Sequence, residues 1–216
     1  MMNSPAQVFN ECAEEYARRF MDLSAYHASL DLFCQAVEAP TAAVFDVACG
    51  PGNIPRYLLM KRPGFRVLGV DLAPNMLRLA RACCPGAEFR MIDARDIRHL
   101  GRRFDALTCG FCLPYLSKPE AIGLIADAAA LLHVGGVLYL STMEGDYTRS
   151  GPTRSTDGRH ELIMYFHEAK YLTAALFDNG FDVFHTCRRE LAGENGTTAT
   201  DLILLARFKG ESPKAD

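Results

Sequence analysis

The segment FDVACGPGN, residues 45–53, contains the feature that decides the fold. An apolar run at 42–48, AAVFDVA, enters a turn with two glycines, and a helical pattern follows from Asn53. A buried strand that leads through a glycine-rich turn into a helix is typical of α/β proteins whose turn contacts a ligand. Such turns usually hold phosphates, yet in this chain Asp46 places a negatively charged carboxylate close to the turn.

Strand and helix patterns alternate on both sides of this turn, with short connections between them. Further apolar runs that predict buried strands lie at 66–72, 87–93, 104–110 and 136–142. Patterns that predict helices lie at 53–61, at 74–84, and after the capping-box sequence Ser117-Lys118-Pro119-Glu120. This alternation predicts a doubly wound α/β fold, in which helices cover both faces of a parallel sheet.

The last third of the chain departs from strict alternation. A helical pattern at 168–177 is followed by two strand patterns, at 181–190 and 199–208. Asn195-Gly196, which lies between those strands, is a strong hairpin signal, so the two strands should be antiparallel neighbours. The expected sheet therefore has seven strands, is mostly parallel, and has an antiparallel last strand.

The bulk composition limits the classes of partner. The 216-residue chain has a net charge of −3 and no lysine- or arginine-rich block, which argues against a broad nucleic-acid or anionic-membrane interface. No apolar run approaches the roughly 18 residues of a membrane span, and the N-terminus lacks the basic-then-apolar pattern of a signal peptide. We expect a cytoplasmic protein, a monomer or a homodimer, that acts on a small molecule.

The eight cysteines do not indicate a metal site. Cys109 and Cys112 have CxxC spacing, but a structural zinc site needs a second Cys or His pair, and the sequence has none at similar spacing. This CxxC straddles the end of a predicted strand instead of opening a helix, which disfavours a thiol redox motif. We expect no bound metal, and cysteines that stay reduced.

Three classes of glycine turn compete for the segment that follows Asp46. A nucleotide-triphosphate loop needs Gly-Lys followed by Ser or Thr, which is absent here. A dinucleotide loop needs a third glycine, where this chain has Pro55, and a phosphate about 4 Å from a carboxylate costs about 4 kcal/mol. A cationic ligand without phosphate removes the conflict. S-adenosylmethionine, which carries an ammonium and a sulfonium, is such a ligand.

Two further aspartates follow predicted strands. Asp71 lies 25 residues after Asp46 and suits an acceptor of the two ribose hydroxyls, while Asp93 can meet an adenine amino group. Because the carboxyl ends of parallel strands meet at one rim of the sheet, all three carboxylates should lie on that rim. Gly50 and Gly52 let the backbone approach a ligand without a Cβ in the way.

Four segments, in this order, resemble the successive signature segments of class I S-adenosylmethionine-dependent methyltransferases: VFDVACGPGN, VLGVDLAPNML, FRMIDARDI and FDALTCGFCLPYL. The similarity covers residues 42–208, and Ala48 departs from the glycine that the family often has there. The resemblance implies a Rossmann-like methyltransferase fold whose last strand is inserted in reverse. It also implies methyl transfer from S-adenosylmethionine, with S-adenosylhomocysteine as product.

Apolar spacing in the first 40 residues predicts two amphipathic helices, one from the capping-box sequence at 4–7 through Leu23 and one over 26–37. In the family, such helices form a lid over the cofactor. The resemblance therefore implies a single domain, residues 1–216, with a helical lid at 1–40 and a Rossmann-like core at 41–210.

The resemblance also assigns a cofactor site. The residues that would line the methionine end are Asp46, Ala48, Gly50 and Gly52, and those that would form the floor near the sulfonium are Cys109, Gly110 and Phe111. Asp71 would hold the ribose. The residues expected at the adenine are Leu72, Met76, Asp93 and Ala94. Tyr16 and Tyr26 of the lid would touch the methionine carboxylate or the substrate.

The sequence leaves the methyl acceptor and any general base open. Candidates for a base are Tyr115, Glu144, Asp146 and His167. The segment Cys112-Leu113-Pro114-Tyr115 lacks the Asn or Asp of enzymes that methylate exocyclic amines of nucleic-acid bases, which excludes that subclass. Two alternatives stand beside the enzyme: an NAD(P)-dependent oxidoreductase, and a non-catalytic S-adenosylmethionine-binding protein or protein–protein module.

Overall fold

The structure, a computed structural model, describes residues 4–154, 159–192 and 198–210. The α-helices within these ranges are α1 (Pro5–Glu11), α2 (Ala13–Phe20), α3 (His27–Ala36), α4 (Asn53–Lys61), α5 (Pro74–Cys83), α6 (Lys118–Leu131) and α7 (Ala169–Asp178). The strands are β1 (Ala43–Val47), β2 (Arg66–Asp71), β3 (Glu88–Met91), β4 (Phe104–Gly110), β5 (Leu132–Glu144), β6 (Gly151–Arg154), β7 (Glu161–Met164), β8 (Phe181–Ala192) and β9 (Thr198–Phe208). None of these helices combines the length and apolar character that crossing a bilayer requires.

The main sheet has seven strands in the order β3-β2-β1-β4-β5-β9-β8. All pairs from β3 to β5 are parallel, and β9 runs antiparallel to both β5 and β8. The predicted doubly wound, mostly parallel sheet with an antiparallel last strand is confirmed. The Asn195-Gly196 turn lies outside the described residues, although the strands that it joins pair as predicted.

Buried side chains cover both faces of the sheet. On one face, α6 and α7 pack against residues of β1, β4 and β5, and the rings of Phe45 and Phe104 stack with centroids 4.8 Å apart. On the other face, Leu30 and Phe33 of α3 and Leu58 of α4 form a second core. The alternation of strands and helices covers both faces because each helix that follows a strand packs back onto one face of the sheet.

One predicted helix is wrong, and one pair of strands was not predicted. The first predicted helix is broken at Cys12, where the backbone leaves helical geometry and the thiol donates to the carbonyl of Val8 at 2.7 Å. The unpredicted strands are β6 and β7, an antiparallel pair separate from the main sheet. Each has only four residues, which is too short for a periodic sequence pattern to mark it.

The register of the parallel strands places their carboxyl ends together. Asp46 lies opposite Gly69, and Asp71 ends β2 opposite Met91. Asp93 follows β3 by two residues. The three aspartates therefore lie along one rim of the sheet, as predicted.

Gly52 fixes the contact between α4 and α5. Its φ is +87°, a left-handed conformation, and a Cβ built on it would lie 3.1 Å from Cα of Ala80. An L side chain at this position would be strained by its backbone conformation and would press on the backbone of α5. The role of Gly52 is therefore to let α5 pack against the start of α4.

Gly52→Ala should lower the free energy of unfolding by about 1–3 kcal/mol, since it adds both backbone strain and overpacking. Gly123→Ala is the matched control, because Gly123 is an exposed position of α6 with no atom within 4 Å of an added Cβ. That control should raise stability by up to about 1 kcal/mol. Urea unfolding measures both changes, and a Gly52→Ala variant as stable as the parent would contradict the packing role.

Candidate functional site

A cavity of about 320 Å³ opens at the carboxyl rim of the parallel strands. Its lining contains ten of the residues that the sequence assigns to a cofactor site: Tyr16, Ala48, Gly50, Asp71, Leu72, Met76, Asp93, Ala94, Gly110 and Phe111. These residues come from the ends of four neighbouring strands and from the N-terminal helices. The structure thus brings residues that are distant in sequence into one concave site, as expected at the switch point of such a sheet.

The carboxylate of Asp71 connects the end of β2 to the glycine turn. One oxygen accepts the backbone N–H of Gly50 at 2.9 Å, and the other accepts that of Ala73 at 2.8 Å. Burial raises the pKa of Asp71, and these N–H donors oppose the rise. Each oxygen keeps a second acceptor direction, so the carboxylate can still accept hydrogen bonds from a ligand in the cavity.

The turn holds two non-regular backbone conformations beside the cavity. Ala48 and Gly50 both have left-handed φ angles, +54° and +52°. This conformation costs an alanine about 1 kcal/mol, whereas glycine adopts it freely, which accounts for the glycine expected at position 48 in the resembling family. Phe111, at the end of β4, also has a left-handed φ of +53° and lines the cavity. Backbone strain of this kind is concentrated at functional sites.

Asp46 lies beneath the cavity and not in its lining. Its side chain is 1% exposed, and one oxygen accepts the hydroxyl of Thr108 at 2.5 Å. The other oxygen, Oδ2, has no hydrogen-bond partner among the described residues. Burial, opposed by the Thr108 bond and assisted by Asp71, raises the pKa of Asp46 to about 7. Any influence of Asp46 on a ligand therefore acts through its charge, at a distance or through water.

Asp93 and Arg95 form an ion pair at the adenine side of the predicted site. The guanidinium of Arg95 binds Asp93 at 2.6 Å and reaches Glu120 at 3.3 Å. Although burial opposes it, pairing with Arg95 holds the pKa of Asp93 below its usual value. The charged side chains in the lining are Asp71, Asp93 and Arg95, so the cavity has a net negative charge when both carboxyls are ionised.

The N-terminal helices form one side of the cavity. Ser4, Pro5, Ala6 and Phe9 contribute from α1 and its cap, and Tyr16 contributes from α2. The side chain of Asn10 binds the backbone N–H of Asn75 at 2.9 Å, which attaches α1 to the start of α5. Burial and the nearby Asp71 raise the pKa of Tyr16 to about 12, so its hydroxyl stays protonated at neutral pH.

Four of the predicted cofactor residues do not line the cavity. Asp46 is one of them, and Gly52 is another, because it faces α5. Cys109 is fully buried within β4. Tyr26 donates to Asp201 at 2.7 Å, and its ring packs edge-on against Phe111, so it supports the lining from behind.

Of the four candidate bases, the structure places only Tyr115 in the cavity lining. Burial, with nearby Tyr16, raises its pKa, so its hydroxyl is a donor and not a base at neutral pH. Glu144 is paired with Arg188 at 2.6 Å, and Asp146 accepts the N–H of Thr148 at 2.8 Å. His167 is fully buried, and its ring nitrogens are bonded to Tyr171 and to the carbonyl of Leu113.

Sequence reasoning missed the remaining lining residues. They are Ser4, Pro5, Ala6, Phe9, Ile92, Arg95, Cys112 and Leu116. The helix-start sequence at 4–7 was recognised, but nothing in it indicates that α1 packs over the rim. Arg95 lies two residues after Asp93, a spacing at which the two side chains can pair, and that signal was available. Within the described ranges, no group of three or more His, Cys, Asp or Glu side chains is placed to hold a metal ion.

Comparison with known proteins connects this geometry to a family. The family model described as "Methyltransferase domain" matches residues 44–136, which contain β1 without its first residue, β2 to β4, and the residues lining most of the rim. A magnesium protoporphyrin IX methyltransferase from Synechocystis PCC 6803, solved with bound SAH, superposes with a TM-score of 0.69 at 20% identity. The alignment covers 94% of this chain and 97% of that one, which shows a shared fold.

Sequence relatives agree with the family match. A ubiquinone biosynthesis O-methyltransferase from Xanthomonas campestris pv. campestris (strain B100) is 34% identical over 119 residues, which is 53% of this chain and 48% of the relative. A trans-aconitate 2-methyltransferase from Paracidovorax citrulli is 35% identical over 124 residues, 57% of this chain and 46% of the relative. The chain thus matches about half the length of these relatives. The predicted resemblance to class I methyltransferases is confirmed.

Asp46→Asn should make the free energy of unfolding less dependent on pH. Because burial raises the folded-state pKa to about 7, the stabilising contribution of the protonated carboxyl is complete below about pH 4 and is lost as pH rises through 7. The loss is at most about 4 kcal/mol. Asparagine keeps an acceptor for Thr108 and cannot ionise, so the variant should become the more resistant of the two proteins above neutral pH. Urea unfolding at a series of pH values measures this.

The matched control is Asp178→Asn, which changes an exposed aspartate at the end of α7. It should leave the shape of the stability–pH curve as it is in the parent. If the parent and Asp46→Asn curves run parallel from acid to mildly alkaline pH, then the pKa of Asp46 is the same in the folded and unfolded states, and its described burial is incorrect.

Proposed function

We propose that this chain is an S-adenosylmethionine-dependent methyltransferase that acts on a small-molecule acceptor. The observation that carries the proposal is the joint lining of one rim cavity by the left-handed turn at Ala48 and Gly50 and by the carboxylate of Asp71. The match of residues 44–136 to a methyltransferase domain supports it. So do the names of the two sequence relatives described above, which are both methyltransferases.

The order of the lining residues along the rim, which follows from the order of the strands, fits the ribose, adenine and methionine parts of S-adenosylmethionine. Asp71, with a free acceptor direction on each oxygen, would bind the ribose hydroxyls. Leu72, Met76 and Ala94 offer apolar contacts for the adenine, and Leu72 is 38% exposed, so part of its surface is available. Ala48, Gly50, Gly110 and Phe111 would surround the methionine end. Asp46, Gly52, Cys109 and Tyr26 would support these residues without direct contact.

Charge favours this ligand over a dinucleotide. S-adenosylmethionine has two positive groups and one carboxylate, so its net charge complements a cavity that has two carboxylates and one guanidinium. A dinucleotide would bring two phosphate charges into this net negative cavity, and its loop would need a third glycine where this chain has Pro55. The discrimination that the sequence assigned to Asp46 alone is therefore a property of the whole cavity, because Asp46 is buried and has a pKa close to neutral.

When bound, S-adenosylmethionine supplies an electrophilic methyl group on a positively charged sulfur. The chain's own contribution is alignment, for which well-oriented groups supply on the order of 7–11 kcal/mol. Tyr16 and Tyr115 stay protonated at neutral pH and can orient an acceptor atom through their hydroxyls. The two carboxyls of the lining are already engaged, Asp71 by backbone N–H groups and Asp93 by Arg95. The acceptor should therefore be one that ionises, or has a lone pair, without a general base from the lining.

The domain organisation and location belong to the same proposal. Residues 1–216 would form a single domain, with the helices of 1–40 as a lid on a core of 41–210. The attachment of α1 to α5 through Asn10 and Asn75 supports this arrangement. We also propose a reducing, cytoplasmic location, because five of the cysteines, at positions 34, 49, 84, 109 and 112, are buried as free thiols.

Asp71→Ala should weaken binding of S-adenosylhomocysteine by more than about ten-fold, since it removes a charged acceptor of hydrogen bonds. Isothermal titration with S-adenosylhomocysteine, S-adenosylmethionine and NAD measures this. The parent should bind the first two and not NAD. Asp182→Ala, which changes an exposed aspartate of β8 paired only loosely with Lys209, should bind like the parent.

Two results would count against the proposal. Binding of NAD with no binding of S-adenosylmethionine would favour the oxidoreductase, and an unchanged affinity in Asp71→Ala would remove the ribose assignment. A screen for methyl transfer to small molecules separates an enzyme from a binding protein: the absence of transfer across broad chemical classes, with tight S-adenosylmethionine binding, would favour the latter.

A further inference from the structure

A second cavity, of about 250 Å³, lies between the N-terminal helices and the β6–β7 pair. Its lining includes Val8 from α1, Phe20 from α2, and Leu162 and Met164 from β7. Neither the sequence patterns nor the fold prediction indicated this cavity, because it depends on the β6–β7 pair. It is therefore a feature that only the three-dimensional arrangement reveals.

The second cavity adjoins the cofactor cavity across three aromatic rings. Phe9, Tyr16 and Tyr115 line both cavities. The ring of Phe9 packs edge-on against Tyr16, with centroids 5.6 Å apart, and against Tyr115, with centroids 4.9 Å apart. A molecule in the second cavity would therefore lie against the same three side chains as a ligand in the first.

The shape and chemistry of the lining indicate a ring-bearing ligand. Apolar and aromatic side chains dominate, and aromatic rings prefer edge-to-face or offset contacts with another ring. An apolar protein cavity of roughly 150 Å³ accepts benzene, so this larger space accepts one ring with substituents. Tyr16 and Tyr115, whose hydroxyls stay protonated at neutral pH, line both cavities and add hydrogen-bond donors to the lining.

Charged side chains in the same lining indicate that the ligand is a monoanion. The three charged residues are Glu15, Arg19 and Arg154. Arg19 is paired with Glu15 at 2.6 Å, which neutralises both. Arg154 is exposed, and no described side chain forms an ion pair with it, although Glu161 lies opposite it in the β6–β7 register. The lining thus has one positive charge left over, which a ligand with a single negative charge would match.

We infer that the second cavity is the acceptor site and that it takes a ring-bearing monocarboxylate, whose carboxylate Arg154 binds while the ring lies among Phe9, Tyr16 and Tyr115. The role of the bound molecule as methyl acceptor rests on the proposed function. The binding of a ring-bearing monocarboxylate depends only on the second cavity. Arg154 is then a specificity-determining residue, since it distinguishes a carboxylate from a neutral group of the same shape.

Matched probe pairs test the inference directly. The pairs are 4-hydroxybenzoate with 4-hydroxybenzamide, and 2-naphthoate with 2-naphthamide. Binding is measured by ligand-observed NMR titration with the full-length protein, both alone and saturated with S-adenosylhomocysteine. The parent should bind each carboxylate about five-fold more tightly than its amide, the upper range for a partly exposed charge pair. In Arg154→Gln the preference should fall below about two-fold.

Two further variants locate the binding. Arg66→Gln, at the start of β2 and hence at the opposite end of the sheet, is the matched control and should keep the full preference. Met164→Trp places a large side chain in the second cavity. It should therefore weaken the binding of both members of each pair by at least about ten-fold, which is roughly the effect of losing the contacts of one buried ring. Its binding of S-adenosylhomocysteine should equal that of the parent, which also shows that it is folded.

Three outcomes would overturn the inference. The first is that the parent binds carboxylate and amide equally, or binds neither. The second is that Arg154→Gln keeps the full preference for the carboxylate. The third is that the probes compete with S-adenosylhomocysteine for one site. The proposed function fails independently of this: if S-adenosylhomocysteine does not bind but the carboxylates still bind through Arg154, then the cofactor assignment is wrong and the second site stands.

Discussion

The candidate site depends on one interaction, the bridge that the Asp71 carboxylate makes between two loops. It holds the backbone N–H of Gly50 on the turn after β1 and that of Ala73 at the start of α5. Since β1 and β2 are parallel neighbours, this bridge fixes the turn against the next strand and gives the cavity its floor. The same carboxylate faces the cavity, so one side chain both shapes the site and supplies its charge.

The two cavities near this bridge have charges of opposite sign. The cavity has more carboxylate than guanidinium charge, whereas the adjoining cavity has one guanidinium, that of Arg154, with no ion-pair partner among the described residues. Two neighbouring spaces of opposite charge, whose linings share three aromatic side chains, suit two different ligands that lie next to each other. An arrangement of that kind is what transfer of a group between two bound molecules requires.

The sequence predicts the frame of the site better than its contents. Hydrophobic periodicity locates the strands because it is a local pattern. The position of Asp71 at the carboxyl rim of the sheet follows because parallel topology places the ends of neighbouring strands together. The position of the Asp46 side chain could not be predicted, because its burial depends on Thr108 from a strand 62 residues away. The same applies to Phe9 and Arg154, whose roles arise from the packing of α1 and of the β6–β7 pair, which no local pattern encodes.

The most direct test of the central claim is a crystal structure grown with S-adenosylhomocysteine and NAD both present. The account predicts electron density for S-adenosylhomocysteine in the rim cavity, with its ribose hydroxyls within hydrogen-bond distance of the Asp71 carboxylate and no dinucleotide there. Density for a pyrophosphate over the turn at Gly50, with the nucleoside of S-adenosylhomocysteine absent from the cavity, would contradict it.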